Sequence, residues 1–269
     1  MASTPIENLT AAVAQAVATE QGAVADIASL TPVTIAIINE STVLTDAQVQ
    51  TTMAALQIQI VRDFAPVWGC LAKFVFFGKN STIPPAYWQM AIVDDSTVAD
   101  ALGYHDLTAS GQPLGIVAAQ TTIQDGESWT VTLSHETCEI LRDPFINIAC
   151  EVDNTAGVPT TFYSAEVSDA CEDDQYGYLI NGQLMSDFVY PNWFMPGMSA
   201  PYDHMGHVTA PFQLLSGGYI SVLDVTTQNG WQQLDAQAAP GERVAPNNRS
   251  TRRLELRRKN KKQWVRSTR

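Results

Sequence analysis

Long apolar runs are missing from this chain of 269 residues. No segment reaches the roughly 18 consecutive apolar residues that a membrane-spanning helix needs, so we expect no membrane span. The opening MASTPIENL has no positively charged stretch ahead of an apolar one, and no signal peptide is expected. Localisation stays open between the cytoplasm and a phage particle.

Cysteine is also scarce, with four residues at positions 70, 138, 150 and 171. This number is too small for a disulfide scaffold in a chain of this length, and no pair has the C-x-x-C spacing of many redox and zinc sites. The sequence favours ordinary buried thiols in a reducing setting. A disulfide between Cys150 and Cys171 is the alternative.

Basic residues are few in most of the chain. Of 15 lysines and arginines, only Arg62, Lys73, Lys79 and Arg142 precede residue 243. The same stretch holds 27 of the 28 acidic residues, so residues 1–242 carry a formal charge of −23 and residues 243–269 carry +10. The whole-chain charge of −13 therefore conceals an acidic body with a basic arm.

A hinge rich in Pro, Gly and Asn, from Ala239 to Asn248, leads into this basic arm. Such composition predicts a flexible tail over 239–269. The positive charge of the tail suits binding to nucleic-acid phosphates or to an acidic protein surface, including the body of this chain. The third alternative is that the tail has no partner. Trp264 offers one group for base stacking.

Hydrophobic patterning predicts an α+β domain over 31–238, preceded by a helical arm over 1–30. With 45% hydrophobic residues, the chain can bury a large core. A helix is expected from Thr45 until Pro66 ends it. Strands are expected at 31–38, 72–77, 87–93 and 114–119. A later helix follows these strands, and the C-terminal half is rich in turns, with a hairpin at Asn181-Gly182.

That later helix carries the most informative motif, His135-Glu136-Thr137-Cys138-Glu139. Positions i and i+4 share a helix face, so His135 and Glu139 can hold one metal ion while Glu136 serves as a general base. This is the geometry of H-E-x-x-H zinc proteases, with Glu139 in place of the second histidine. Carboxylate oxygen is an acceptable zinc ligand. The helix is expected to stop at Arg142-Asp143-Pro144.

A second acidic pair, Glu166 and Asp169, follows in Ala165-Glu166-Val167-Ser168-Asp169-Ala170-Cys171. Taken together, S-H-E-x-x-E-x-x-x-D-P and the later E-x-x-D-x-C resemble zincin-like metallopeptidases of bacteria and their phages. The likeness extends over Gly103-Tyr104-His105, over Asn192-Trp193-Phe194, and from Pro211-Phe212 to Gly217-Gly218-Tyr219.

The resemblance implies a zincin-like fold, in which a mixed sheet backs the metal-bearing helix, and a Zn²⁺ held by His135, Glu139 and Glu166. Asp169 would orient His135 from behind, and Glu136 would deprotonate the water. Which of Glu166 and Asp169 is the third ligand stays open. Because Glu139 replaces a histidine, the extra negative charge is expected to weaken the Lewis acidity of the metal.

Other polar residues have competing readings. His105 is a candidate substrate contact, against an ordinary loop histidine. Asp143 is an alternative ligand, although Pro144 favours a role in ending the helix. His204 and His207 have a spacing seen in metal sites, but a Gly/Pro-rich loop favours surface positions. The acidic run from Glu172 to Asp174 lacks the spacing of an EF-hand, so a solvated turn is expected.

Two functions from different classes follow. The first is a zinc-dependent peptidase, or a peptidase-like protein, that hydrolyses an amide bond with metal-activated water. The second is a phage virion or assembly protein that uses a zincin-like scaffold with little or no catalysis. Metal content separates the two.

Overall fold

A computed structural model describes residues 27–97, 101–152 and 160–237. The helical arm expected over 1–30 lies outside this range except for a single 3-10 turn at Ile27–Ser29. The basic tail over 239–269 lies wholly outside it, so both remain predictions.

The first half of the described chain forms a five-stranded sheet in the order β2-β1-β3-β5-β4. Four strands are parallel, and β4 pairs antiparallel with β5 at one edge. Their bounds are β1 Val33–Asn39, β2 Ala72–Phe77, β3 Trp88–Val93, β4 Gly103–Leu107 and β5 Pro113–Ala118. The sequence predicted β1, β2, β3 and β5 but missed β4, because Tyr-His-Asp in a short segment does not resemble a strand.

The first long helix, α1 (Asp46–Ile58), begins as predicted with Thr45 and Gln48 in a capping box. It runs on through a π-helical segment at Gln59–Phe64 into α2 (Ala65–Trp68). The predicted end at Pro66 is wrong. Proline is tolerated in the first turn of α2, and the helix ends instead at Gly69, whose φ of 66° is left-handed.

Two helices follow the sheet, α3 (Ala119–Gln124) and α4 (Trp129–Arg142). The motif helix α4 packs on β4 and β5, and most of its residues are buried. It ends at Arg142 as predicted. Asp143 then accepts backbone hydrogen bonds from Asn147 (2.8 Å) and Ile148 (3.0 Å), so it shapes the turn that follows.

The second half contains a four-stranded antiparallel sheet in the order β11-β10-β7-β6, which the sequence did not predict. Its strands are β6 Ala149–Val152, β7 Thr161–Ser164, β10 Tyr219–Asp224 and β11 Trp231–Asp235. The predicted hairpin is present as β8 (Tyr178–Ile180) and β9 (Gln183–Met185), with positive φ at Asn181 and Gly182 as a type I′ turn requires.

One cluster of buried side chains joins both halves, from Ile35 and Phe64 to Phe188, Trp193 and Val222. The α+β class is thereby confirmed, with several sheets and few helices. Among the described residues, no helix is both long and apolar enough to cross a membrane.

Candidate metal centre

The side chains of His135, Glu136 and Glu139 on helix α4 lie close to one another. Nε2 of His135 lies 3.4 Å from Oε1 of Glu139, one helical turn on. Both residues and Glu136 are at most 4% exposed. Burying polar groups on a helix is unfavourable unless they are matched by partners, so the neighbouring elements decide what these residues do.

The turn after β7 brings the second acidic pair to α4. Oδ1 of Asp169 lies 3.4 Å from Nε2 of His135, and the backbone N–H of Ser168 is 3.4 Å from Oε1 of Glu139. Gly218 makes this position possible, since a Cβ there would lie 2.5 Å from the carbonyl oxygen of Ala170. The backbone of the loop before β10 therefore presses directly on the turn that holds Asp169.

His105 enters the same cluster from the edge strand β4. Its Nδ1 lies 3.4 Å from Oε2 of Glu136 and 3.6 Å from Oε2 of Glu139, and its Nε2 lies 3.5 Å from Oε2 of Glu166. The imidazole is buried among three carboxylates and takes part in the cluster. We call these six residues the α4 centre: His105, His135, Glu136, Glu139, Glu166 and Asp169.

Donor separations in the α4 centre are long for charge-assisted hydrogen bonds and are compatible with metal coordination. The five nitrogen-to-oxygen distances run from 3.4 to 3.6 Å. Charge-assisted hydrogen bonds are shorter, about 2.7–2.9 Å. Ligands bound tetrahedrally at about 2.0–2.1 Å from zinc lie about 3.4 Å apart, so the spacing matches the edge of such a tetrahedron.

The possible metal ligands fall into three groups, two of which share Glu139. His105, Glu139 and Glu166 form one group, and His135, Glu136 and Glu139 form another. His135 also groups with Asp169 and Glu172. The two oxygens of Glu139 thus face different histidines. Asp169 lies beside His135, whereas Glu166 lies beside His105.

The field of the α4 centre is strongly negative. Burial favours the neutral imidazole of His135, but the charge of Glu139 and the contacts with Asp169 and Glu139 together raise its pKa well above the ordinary value. The four basic residues of the body lie elsewhere. Arg62 pairs with Asp63, Arg142 lies over the Trp68 ring, and Lys73 and Lys79 belong to β2 and its following turn, at the opposite edge of the sheet from β4. A cation is the group that such a cluster suits.

A cleft of about 190 Å³ opens onto the α4 centre. His135 and Glu136 line it from α4, and Leu102 and Gly103 line it beside β4. Its rim is acidic, formed by Glu127, Glu172, Asp173 and Asp174. Burial and the neighbouring aspartates raise the pKa of Glu127, and burial raises that of Asp174.

Gly103 sets how closely β4 approaches α4. A Cβ at this position would lie 2.9 Å from Cγ and Oε1 of Glu136 and 2.6 Å from Cγ2 of Thr132. The absence of a side chain therefore lets Glu136 stand between the helix and the strand.

Glu172 lies in a group with His135 and Asp169, although the sequence predicts a solvated turn for it. Its position three residues after Asp169, which repeats the interval from Glu166 to Asp169, is the sequence feature that indicates this placement.

The other candidate residues lie outside the α4 centre. His204 stacks on Phe188 with centroids 5.2 Å apart, its Nδ1 is 3.1 Å from the Tyr190 hydroxyl, and burial lowers its pKa. Asp173 and Asp174 accept backbone hydrogen bonds from Gln175 and Ser128. All four cysteines are free thiols, as predicted, so Cys150 and Cys171 form no disulfide.

Comparison of the chain with protein-family models, curated proteins and solved structures gives no match. The function is therefore argued from the geometry of the α4 centre and its cleft.

Proposed function

We propose that this chain is a zinc-dependent hydrolase of amide bonds in extended peptides, built on a zincin-like scaffold. One observation carries the proposal. Two buried histidines and four buried carboxylates converge with donor separations of 3.4 to 3.6 Å beside an open cleft. Mixed imidazole and carboxylate donors suit Zn²⁺ better than Ca²⁺ or Mg²⁺, which prefer oxygen ligands alone.

The ligands come from three separate elements of the fold. His135 and Glu139 lie together on α4, and Asp169 on the turn after β7 lies beside His135. His105 and Glu166 group with Glu139 on the side toward β4. When bound there, Zn²⁺ supplies a water of lowered pKa and polarises a carbonyl oxygen.

Glu136 is the general base in this proposal, because it both lines the cleft and lies within the α4 centre. Its carboxylate accepts a proton from the attacking water as the oxygen bonds to the carbonyl carbon. It then delivers that proton to the amide nitrogen as the C–N bond breaks. His105, with Nδ1 3.4 Å from Oε2 of Glu136, holds the carboxylate in place between these steps.

A peptide held extended in the cleft beside β4 is the proposed substrate. Leu102 and Gly103 line the cleft together with His135 and Glu136, so a peptide bound there lies next to the proposed base. The acidic rim favours peptides that carry Lys or Arg.

The order of elements supports the zincin-like scaffold. Four parallel strands with an antiparallel edge strand back the helix that carries His135 and Glu136, as expected of the metal-bearing half of a zincin. This is an argument by analogy of fold.

A second candidate, a virion or assembly protein that binds metal without turnover, is favoured by the carboxylate excess. Four acidic residues face two histidines in the α4 centre, and each anionic ligand lowers the Lewis acidity of a bound cation. Such a centre can hold metal tightly and still react slowly.

Metal analysis of purified chain, followed by hydrolysis of a quenched Lys-containing peptide, tests both. We expect the zinc content to fall by one equivalent in His135→Ala and to keep the parent value in Asp143→Asn, where an amide still accepts the backbone hydrogen bonds at the end of α4. A zinc content in His135→Ala equal to that of the parent chain contradicts the assignment. Zinc without hydrolysis favours the second candidate.

A further inference from the structure

A second group of possible metal ligands, two buried aspartates and one exposed histidine, lies outside the α4 centre. Asp187 lies in the segment after β9, and Asp203 and His207 lie in a later loop. A β-bridge between Val189 and Asp203 joins the segment to the loop. The donor atoms of these three side chains lie within 4.8 Å of one another. We call them the Asp187 cluster.

In each aspartate, one carboxylate oxygen accepts hydrogen bonds from backbone N–H groups. Oδ1 of Asp187 accepts from the N–H groups of Phe188 (2.7 Å), His204 and Met205 (both 3.2 Å). Oδ2 of Asp203 accepts from His207 (2.7 Å) and Val208 (3.2 Å). These bonds fix both carboxylates, so the direction of their other oxygens is built into the loop.

The remaining oxygens, Oδ2 of Asp187 and Oδ1 of Asp203, are buried and accept no hydrogen bond from an N–H or O–H group of the described residues. Both aspartates are 1% exposed. Nδ1 of His207 lies 3.5 Å from Oδ2 of Asp187, again longer than a charge-assisted hydrogen bond and close to the edge of a zinc tetrahedron.

Two buried carboxylates that face each other are unfavourable without a positive partner. The imidazole of His207 adds a nitrogen atom on the side of the cluster that faces solvent, where its side chain is 37% exposed.

We propose that Asp187, Asp203 and His207 bind one divalent cation of the zinc or manganese type, at a site separate from the α4 centre. One nitrogen and two carboxylate oxygens form a donor set that these ions accept, and water reaches the exposed side to complete the coordination. The ion ties the loop from Asp203 to Val208 to the segment after β9.

This ion would have a structural role near the first site. Ser186, beside Asp187, donates its backbone N–H to Oγ of Ser134 on α4, beside His135. Fixing the Asp187 cluster therefore buttresses the helix that carries the α4 centre. The proposal does not depend on hydrolysis or on metal binding at His135.

Metal content of the full chain tests it, after equilibration with ZnCl₂ or MnCl₂ and removal of free ion. In the His135→Ala background we expect one equivalent of metal to remain, and His207→Ala added to that background to remove it. His204→Gln is the matched control, because it alters the same loop outside the donor set.

Thermal melting provides a second readout. Zinc should raise the Tm of the His135→Ala chain, and this rise should disappear in the double variant with His207→Ala or Asp203→Asn. The asparagine keeps an acceptor for the loop and can donate to Asp187, so the chain should fold without metal. If metal content and the Tm response are the same with and without His207, the proposal is overturned and the carboxylates share a proton instead.

Discussion

The backbone N–H of Ser186 donates a hydrogen bond of 2.6 Å to Oγ of Ser134. Ser134 is buried and precedes His135 on α4, while Ser186 is buried and precedes Asp187. This short bond links the segment that carries His135 to the segment that carries Asp187. Because each neighbour is a proposed ligand, displacement of one segment moves the other, and stability and metal binding should be linked.

Replacing Glu136 by Gln should remove turnover and leave the metal in place. The amide keeps the shape of the side chain between α4 and β4 but cannot accept the proton of the attacking water. We expect kcat to fall about a hundredfold or more, the usual size of a general-base contribution. Peptide hydrolysis and zinc content measured on the same sample check this, and a variant as active as the parent chain would exclude Glu136 from the role.

Gly103→Ala should impair activity by moving Glu136. An added Cβ would lie 2.9 Å from Cγ and Oε1 of that glutamate, so the carboxylate must shift. We expect a loss of about tenfold to a hundredfold in kcat, since small displacements of reacting groups are costly. Gly78→Ala is the control, because its Cβ would meet only Oδ2 of Asp46 at an ordinary 3.6 Å. Equal kinetics in the two variants would contradict this account of Gly103.

The Asp187 cluster predicts a pH effect on the stability of metal-free protein. With a folded-state pKa of about 8, Asp187 binds a proton more tightly in the folded than in the unfolded chain. Its contribution to stability is therefore present in full below the ordinary aspartate pKa and is lost as pH rises toward 8. Urea unfolding with chelator at several pH values should show this decline, and Asp187→Asn should flatten it. An identical decline in the variant would show that other groups cause it.

Removing residues 239–269 should leave the fold intact. The segment carries nine more basic than acidic residues and few apolar groups that a core could bury. We expect the Tm to change little, while binding to heparin or to single-stranded DNA weakens at low salt and the difference shrinks as salt rises. Failure of the shortened chain to fold would show that the predicted domain boundary at residue 238 is wrong.

The sequence indicated individual elements well where one local rule was enough. Thr45 with Gln48 marks the start of α1, Asn181-Gly182 marks the hairpin, and Ala72–Phe77 is a strand by composition. It also indicated His135, Glu136 and Glu139, because helical spacing alone places a residue and its fourth neighbour on one face. Strand β4 escaped because a short edge strand has little apolar pattern of its own.

Glu166, Asp169 and His105 were named from the chain as site candidates, but their arrangement was decided by tertiary structure. His105 lies on β4, and only antiparallel pairing with β5 carries it to α4. Gly218 lets a distant loop press the Asp169 turn into place. The convergence of Asp187 with Asp203 depends on a bridge between loops that no local periodicity encodes. Residue chemistry and helical spacing are properties of the sequence, whereas the distances between donors from different elements exist only once long-range packing has fixed the backbone.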